Sequence, residues 1–346
     1  MTEATRAKRR APAERATLAD VARLAGLSRT AASMILSGRP DTRLSAEAHA
    51  KVMAAADQLG YRPNVAARSL RTDRTLSIAF ISDVVATTRF ATGLIRGALQ
   101  GAEAQNHVML VLETGGEPAR ETEAINAALD RQVDGIIFAA MRAREIFVPD
   151  ARLAVPVVML NSTSGRFPVS VLPDEQHGGR DVVGLIADAG HRDGIALLGQ
   201  SDSAESGLFR SETVSRRVRG IRAEMKRRRL QFVGEESCWN WEPDEGYRLA
   251  RKLLKANSAI RVLLCMNDRL AFGAYQAIAD MGLRVPTDIA IVSFDNDEIA
   301  SYLRPGLTTI ALPHEEMGRL AVDLLLAAGS KREHLVPMPV ITRGSL

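Results

Sequence analysis

The chain has 346 residues, enough for two or three domains and for cores that need no disulfide or metal staples. At 46% hydrophobic and 25% charged it has the composition of a globular protein, and no apolar run approaches the length of a membrane span. The formal charge of +4 is unevenly spread: residues 1–75 hold 14 Lys and Arg against 7 Asp and Glu, leaving 31 against 34 in the remainder. A basic head on a slightly acidic body points to a polyanion partner for the head alone.

Residues 1–16 read as a disordered basic tail. Met1–Arg15 lacks the apolar stretch of a secretory signal, so the expected setting is the cytoplasm. Thr17 precedes the apolar-periodic run Leu18, Val21, Ala22, Leu24, Ala25, with Asp20 three positions on. That is a helix N-cap with an acid in the first turn, where the helix dipole favours it. Gly26 stops this helix. Ser28 caps a second, expected over Arg29–Leu36, with Ala32 and Ile35 facing inward. Two helices this short are marginal alone and stable when they clamp one another through a Gly-containing turn, the helix-turn-helix unit. A third helix is expected over Ala46–Leu59, capped by Ser45 and stopped by Gly60, its Val52, Ala56 and Leu59 covering the other two.

The next segment joins Tyr61-Arg62-Pro63-Asn64 to Val65-Ala66-Ala67-Arg68-Ser69-Leu70. Taken with Thr17-Leu18-Ala19-Asp20-Val21-Ala22 and Ala25-Gly26-Leu27-Ser28, these blocks in this order resemble the LacI/GalR family of bacterial transcription repressors. The similarity continues to about residue 340. It implies a helix-turn-helix domain over residues 17–60 and a hinge helix and linker over 61–75.

In such a unit the second helix lies in the major groove with its N-terminal side chains at base edges. Arg29 offers a fork to guanine, Thr30 and Ser33 offer hydroxyls, and Thr17 and Ser28 hold phosphates. Met34 stands where the family often carries a polar or basic base-contacting residue and offers only apolar contact. Ala31-Ala32-Ser33 likewise departs from the common Thr-Val-Ser. Tyr61, Asn64, Ala67 and Leu70 complete the expected DNA-binding set. A hinge helix of about seven residues is too short to stand alone in water, so folding on DNA is expected. Leu70 is the apolar wedge of a minor-groove kink.

From Leu76 onward short apolar strands alternate with amphipathic helical stretches. Ser77–Ile81, Val108–Leu112, Gly135–Ala139, Val157–Leu160, Gly194–Leu198, Arg261–Cys265 and Ala290–Phe294 read as strands. Near-continuous apolar strands separated by helices mean parallel sheets covered on both faces. The fold class is therefore α/β, an all-α head followed by a two-lobed core over 76–346. The resemblance implies a periplasmic-binding-protein-like core that crosses between lobes three times, with lobe one about 76–173 plus 314–341 and lobe two about 174–313.

Ligands of open parallel sheets bind beyond the carboxyl ends of strands. Asn161, Asn267 and Asp295 follow strands, and with Arg217 and Trp241 they match effector-contacting positions of the family. Amides and carboxylates take sugar hydroxyls, an Arg fork takes two more, and an indole stacks on a sugar's C–H face. An Asp or Asn after a strand is equally a turn former, and Arg216-Arg217-Val218-Arg219 is equally a solvated basic face. Trp239 and Trp241 exchange freely as stacker and core residue. Arg89 and Phe90 are expected to close the cleft, and Leu312 stands where some relatives have a polar contact.

Enzyme motifs are missing: no GxGxxG follows the first strand, and no GxxxxGK[ST] or GxSxG is present. The six histidines are scattered, and Cys238 and Cys265 lack zinc spacing, so no metal or cofactor is expected. The expected function is a sequence-specific repressor acting as a homodimer on a pseudo-palindromic operator under control of a small molecule, a sugar or sugar derivative. A nucleoside or purine ligand is the alternative. A sugar receptor of the transport class would need a signal peptide or anchor, and an architectural DNA binder would not need the cleft residues.

Overall fold

The computed structural model describes residues 16–37, 44–62, 74–83, 90–145, 153–200, 212–238, 240–327 and 332–346, with backbone alone at 90, 91, 141–145 and 212. The hinge positions Asn64, Ala67 and Leu70, and also Arg89 and Trp239, lie outside the described residues. Two compact units divide the chain, residues 1–75 and 76–346.

The head holds α1 (Leu18–Ala25), α2 (Arg29–Leu36) and α3 (Ala46–Leu59). Thr17 closes a capping box: its backbone N–H donates to Asp20 Oδ2 at 3.0 Å, and its hydroxyl accepts from the Asp20 N–H. Ser28 and Ser45 cap α2 and α3 through Ala31 N–H at 3.1 Å and Ala48 N–H at 3.2 Å, each cap worth ~1 kcal/mol. Gly26 ends α1 with φ of 68°, a left-handed conformation that costs glycine nothing. Val21, Ala22, Ala25, Ala32, Ile35, Ala48, Val52, Ala55 and Ala56 form the core. Leu59 does not join them as expected. It is exposed in the last turn of α3, where Tyr61, just past the Gly60 stop, packs against the core instead.

The larger unit runs β1 (Ser77–Ser82), α4 (Phe90–Ala104), β2 (Val108–Glu113), α5 (Pro118–Asp130), β3 (Gly135–Glu145), β4 (Val157–Thr163), β5 (Ser170–Pro173), α6 (Glu175–Asp188), β6 (Ile195–Leu198), α7 (Glu212–Arg228), β7 (Phe232–Glu236), α8 (Pro243–Ala256), β8 (Val262–Cys265), α9 (Asp268–Asp280), β9 (Ala290–Asp295), α10 (Glu298–Tyr302), β10 (Thr308–Ala311), α11 (His314–Ala327), β11 (Glu333–Val336) and β12 (Val340–Ile341). Two six-stranded sheets result, ordered β11-β5-β4-β3-β1-β2 and β12-β10-β9-β8-β6-β7. The registered pairs are parallel except β10 with β12. Among the described residues no helix is long and apolar enough to cross a membrane.

Alternation along each strand feeds two cores in the first lobe. Ile78, Phe80, Ile137 and Leu160 face α4 and α11, while Ala79, Ile81, Ile136, Phe138 and Met159 face α5. The second lobe shares one larger core around Leu197, Leu264, Val292 and Phe294. The return to the first lobe ends sooner than residue 341. After β11, Val340–Ile341 pair antiparallel with β10, and Ser345 bonds Ile291 and Thr308, so the C-terminus belongs to the second sheet. Cys265 is buried and Cys238 partly so. Burial pushes both thiols up, Cys238 to about 11, as inert packing residues require.

Candidate functional site

On α2 the residues at positions 29, 30, 33 and 34 share the face opposite the buried Ala32 and Ile35. Arg29, Thr30 and Met34 are exposed and Ser33 is half-buried. Ser28 caps the same helix. The Thr17 hydroxyl is already committed, donating to Asp20 Oδ2 at 2.7 Å, so what Thr17 presents is chiefly the positive N-terminus of α1. The Tyr61 ring rests on the head's core.

In the larger unit four of the expected effector residues, Arg217, Trp241, Asn267 and Asp295, gather at the carboxyl ends of the second lobe's strands. The gathering begins with two glycines. A Cβ on Gly179 of α6 would lie 2.3 Å from the Arg217 carbonyl, and one on Gly220 of α7 would lie 2.1 Å from the Gln176 carbonyl. Only glycine at both positions allows the two backbones this approach. Their contact sets Glu175, in the first turn of α6, against Arg217, in the second turn of α7. Arg217 donates from Nε to Glu175 Oε2 at 2.7 Å, from Nη2 to Oε1 at 2.8 Å, and from Nη1 to the Met266 carbonyl at 2.6 Å. Its guanidinium stacks 4.1 Å over the Phe294 ring and lies 3.7 Å from Asp295 Oδ1. Burial alone would lower the Arg217 pKa, but the Glu175 charge and hydrogen bonds, with Asp295 and Asp268, hold it above its ordinary value.

Asn267 follows β8 and caps α9: its Oδ1 accepts from Leu270 N–H at 2.9 Å, and its Nδ2 donates to the Trp241 carbonyl at 3.3 Å. Trp241 donates from Nε1 to the Gly199 carbonyl at 2.7 Å, just past β6. Asp295 ends β9 with φ of 106°. Burial raises its carboxyl well above the usual range, Arg217 pulling the other way and Asp268 and Glu175 adding to the rise. Asp268 ties three elements together, accepting from Ser293, from Thr309 Oγ1 at 2.8 Å and from Asp297 N–H at 2.7 Å.

Arg217, Trp241, Asn267 and Asp295 are thus one connected group. Asn161 stands apart on β4 of the first sheet with φ of 49°. The β3–β4 register breaks after Ala139 and resumes at Arg144, and Asn161 Nδ2 fills the gap by donating to the Ala140 carbonyl at 2.9 Å. Of Phe90 only the helical backbone is described. Arg216, expected on a solvated face, makes a two-pronged ion pair with Glu333 at 2.8 Å on each arm, tying α7 of the second lobe to β11 of the first. Arg219 is exposed as expected. Leu312 donates its N–H to the Asp295 carbonyl at 3.2 Å, and its side chain packs on the second core.

Sequence reasoning missed Glu175 and the structural part played by Asp268. An acid in the first turn of a helix reads as a dipole partner, and nothing in the local sequence tells that it turns inward. Gly178-Gly179 and Gly220 were the available signals, as paired points of close helix approach.

Residues 17–64 match the model of bacterial regulatory proteins, lacI family, and residues 183–346 match a periplasmic binding protein-like domain. The ribose operon repressor of Escherichia coli strain K12 is 31% identical over 318 residues, covering 90% of this chain and 92% of that protein. The chain belongs to the lacI family of bacterial regulatory proteins. PurR, an HTH-type transcriptional repressor of Vibrio vulnificus, is 30% identical over 331 residues, covering 92% of this chain and 93% of that protein. The crystal structure of the lac repressor dimer bound to operator and the anti-inducer ONPF superposes with a TM-score of 0.75 at 27% identity, covering 96% of this chain and 99% of that one. This lacI-family chain is accordingly a DNA-binding transcription regulator with a helix-turn-helix head and a periplasmic-binding-protein-like core.

Proposed function

We propose that this regulator is a cytoplasmic repressor that binds a pseudo-palindromic operator as a homodimer and is controlled by a sugar or sugar derivative held between the lobes of its core. Residues 17–60 are the reading head, 61–75 the hinge and 76–346 the effector and dimerisation core. Arg29, Thr30, Ser33 and Met34 read base edges, and Thr17, Ser28 and Tyr61 hold the backbone. Asn64, Ala67 and Leu70 enter the minor groove. Arg217, Trp241, Asn267 and Asp295 meet the effector from one lobe, and Asn161, Arg89 and Phe90 from the other. Ligand binding linked to hinge ordering by ~1–3 kcal/mol changes operator affinity about 5–150-fold.

The observation that carries this reading is the connected group Arg217, Trp241, Asn267 and Asp295 at the carboxyl ends of the second sheet, in a chain whose α2 presents Arg29 and Thr30 to solvent. The test is selection of duplexes from a randomised pool by the purified protein at stated salt, followed by a ligand screen on the selected duplex. Enrichment of a palindrome whose retention changes with a sugar supports it, and no enrichment with or without candidate ligands rejects it. The comparable similarity to PurR favours a purine-type ligand as the second reading, and purines in the same screen decide between the two.

A further inference from the structure

The site's only arginine in the connected group is already neutralised. Glu175 takes its Nε and Nη2 protons at 2.7 and 2.8 Å, the Met266 carbonyl takes an Nη1 proton at 2.6 Å, and Asp295 lies 3.7 Å away. Asp268 adds a further buried carboxylate, held by Ser293, Thr309 and the Asp297 N–H. Three carboxyl groups therefore surround one guanidinium. Even with a proton on Asp295, Glu175 alone balances Arg217.

Neutral hydrogen-bonding capacity remains on both sides, since the bonds made by Arg217, Asn161 and Asn267 leave single N–H groups beside the acceptors. Among the described residues the half-buried Asp295 carboxylate takes no hydrogen bond, and Arg217 is 3.7 Å away. Asn161 Nδ2 donates one proton to the Ala140 carbonyl, which leaves its second N–H and Oδ1. Asn267 Nδ2 and Oδ1 make one bond each, and Trp241 has spent its single N–H on Gly199, leaving the indole face. A ligand that displaces water from these groups must both donate and accept, as a hydroxyl does. An anionic group would add a negative charge where, among the described residues, three carboxyl groups already surround one guanidinium.

Building on the effector site proposed above, we propose that this regulator takes an uncharged, hydroxyl-rich ligand and excludes its phosphorylated or carboxylated counterparts, because Glu175 sequesters the Arg217 charge that would otherwise recruit an anion. Asp295 and the Asn161 carbonyl accept the ligand's hydroxyls, and Trp241 covers its apolar face.

Two measurements on the full-length protein test this. The first titrates inorganic phosphate, at constant ionic strength, into the parent, Glu175→Gln and the Glu175→Gln/Arg217→Gln double variant, reading tryptophan fluorescence and melting temperature. Glu175→Gln is expected to bind phosphate at least tenfold more tightly than the parent, and the double variant to lose that gain. Parent binding equal to that of Glu175→Gln overturns the proposal. The second keeps the test open should Glu175→Gln fail to fold. The parent is titrated with matched pairs: ribose with ribose 5-phosphate, glucose with glucose 6-phosphate and gluconate, and adenosine with its monophosphate. A neutral member bound at least a hundredfold more tightly than its acidic counterpart supports the proposal, and an acidic member bound as tightly or more tightly overturns it. Failure of every pair, with phosphate also unbound by Glu175→Gln, instead removes the effector site itself and this proposal with it.

Discussion

Replacing Gly220 by alanine isolates the helix contact on which the site is built. The new Cβ would lie 2.1 Å from the Gln176 carbonyl oxygen and 3.0 Å from its carbon, so α6 and α7 must part by more than an ångström. Both obstacles are backbone and no side chain can rotate aside, so the overpacking cost belongs at the upper end of the usual range, ~3 kcal/mol. Against this, alanine is a better helix former than glycine by about 1 kcal/mol. The net expectation is a loss of about 2 kcal/mol, together with separation of Arg217 from Glu175 and loss of ligand response. Gly184→Ala on α6 is the control. Its Cβ would meet only the end of the Arg228 side chain at 3.4 Å, so it should hold or gain stability. Both tryptophans lie in the larger unit, so urea denaturation followed by their fluorescence reports that unit's midpoint. A Gly220→Ala midpoint equal to the parent's, or raised like that of Gly184→Ala, would refute the contact as what positions Arg217.

Arg29→Ala should relax base preference at one position in each half-site by ~1–3 kcal/mol and leave the other positions unchanged; repeated duplex selection measures this, and a uniform weakening across sequences contradicts it. The Arg216–Glu333 pair between the lobes is part-exposed, so a double-mutant cycle with Arg216→Gln and Glu333→Gln should return a coupling of ~0.5–1 kcal/mol that shrinks with added salt, and zero coupling at low salt would dismiss the tie. His314 opens α11, and burial lowers its pKa from 6.5 to about 4. The unfolded chain therefore takes up that proton first as pH falls, so His314 costs the folded state stability between about pH 6.5 and 4 and nothing above. Relative to the parent, His314→Phe should gain in urea midpoint across that window, and a gap that stays constant with pH counts against it.

The parts of the molecule legible in sequence are those governed by local rules. The bounds Arg29–Leu36 and Ala46–Leu59 follow from Ser28, Ser45 and Gly60, whose capping chemistry is written within a few residues. The strands around Ile78, Val158 and Leu263 follow from runs of buried apolar residues. What was missed depends on distant partners. Leu59 has the right periodicity for the core, yet it is exposed and Tyr61, beyond the end of α3, packs there. Val340–Ile341 carry no mark of which sheet they will join. Asn161 reads as a ligand contact, and its role in bridging a broken β-ladder appears only once the β3–β4 register is known.

Glu175 shows why the charge class of a ligand is harder to read than the location of its site. Arg217, Asn267 and Asp295 can be found by their places after strands and beside Gly220, and an arginine found this way suggests anion recognition. Whether it keeps that capacity depends on a residue 42 positions earlier, brought near by two glycines on facing helices. With Glu175 at 2.7 Å and Asp295 at 3.7 Å, the same guanidinium is, in the proposed effector site, an organising centre rather than an anion receptor. The pairing is worth keeping for that reason rather than for stability, since a buried ion pair gains little over a packed apolar pair but leaves an uncompensated charge when one partner is removed. Under the proposal made above, the acid beside the arginine carries as much of the ligand specificity as the arginine itself.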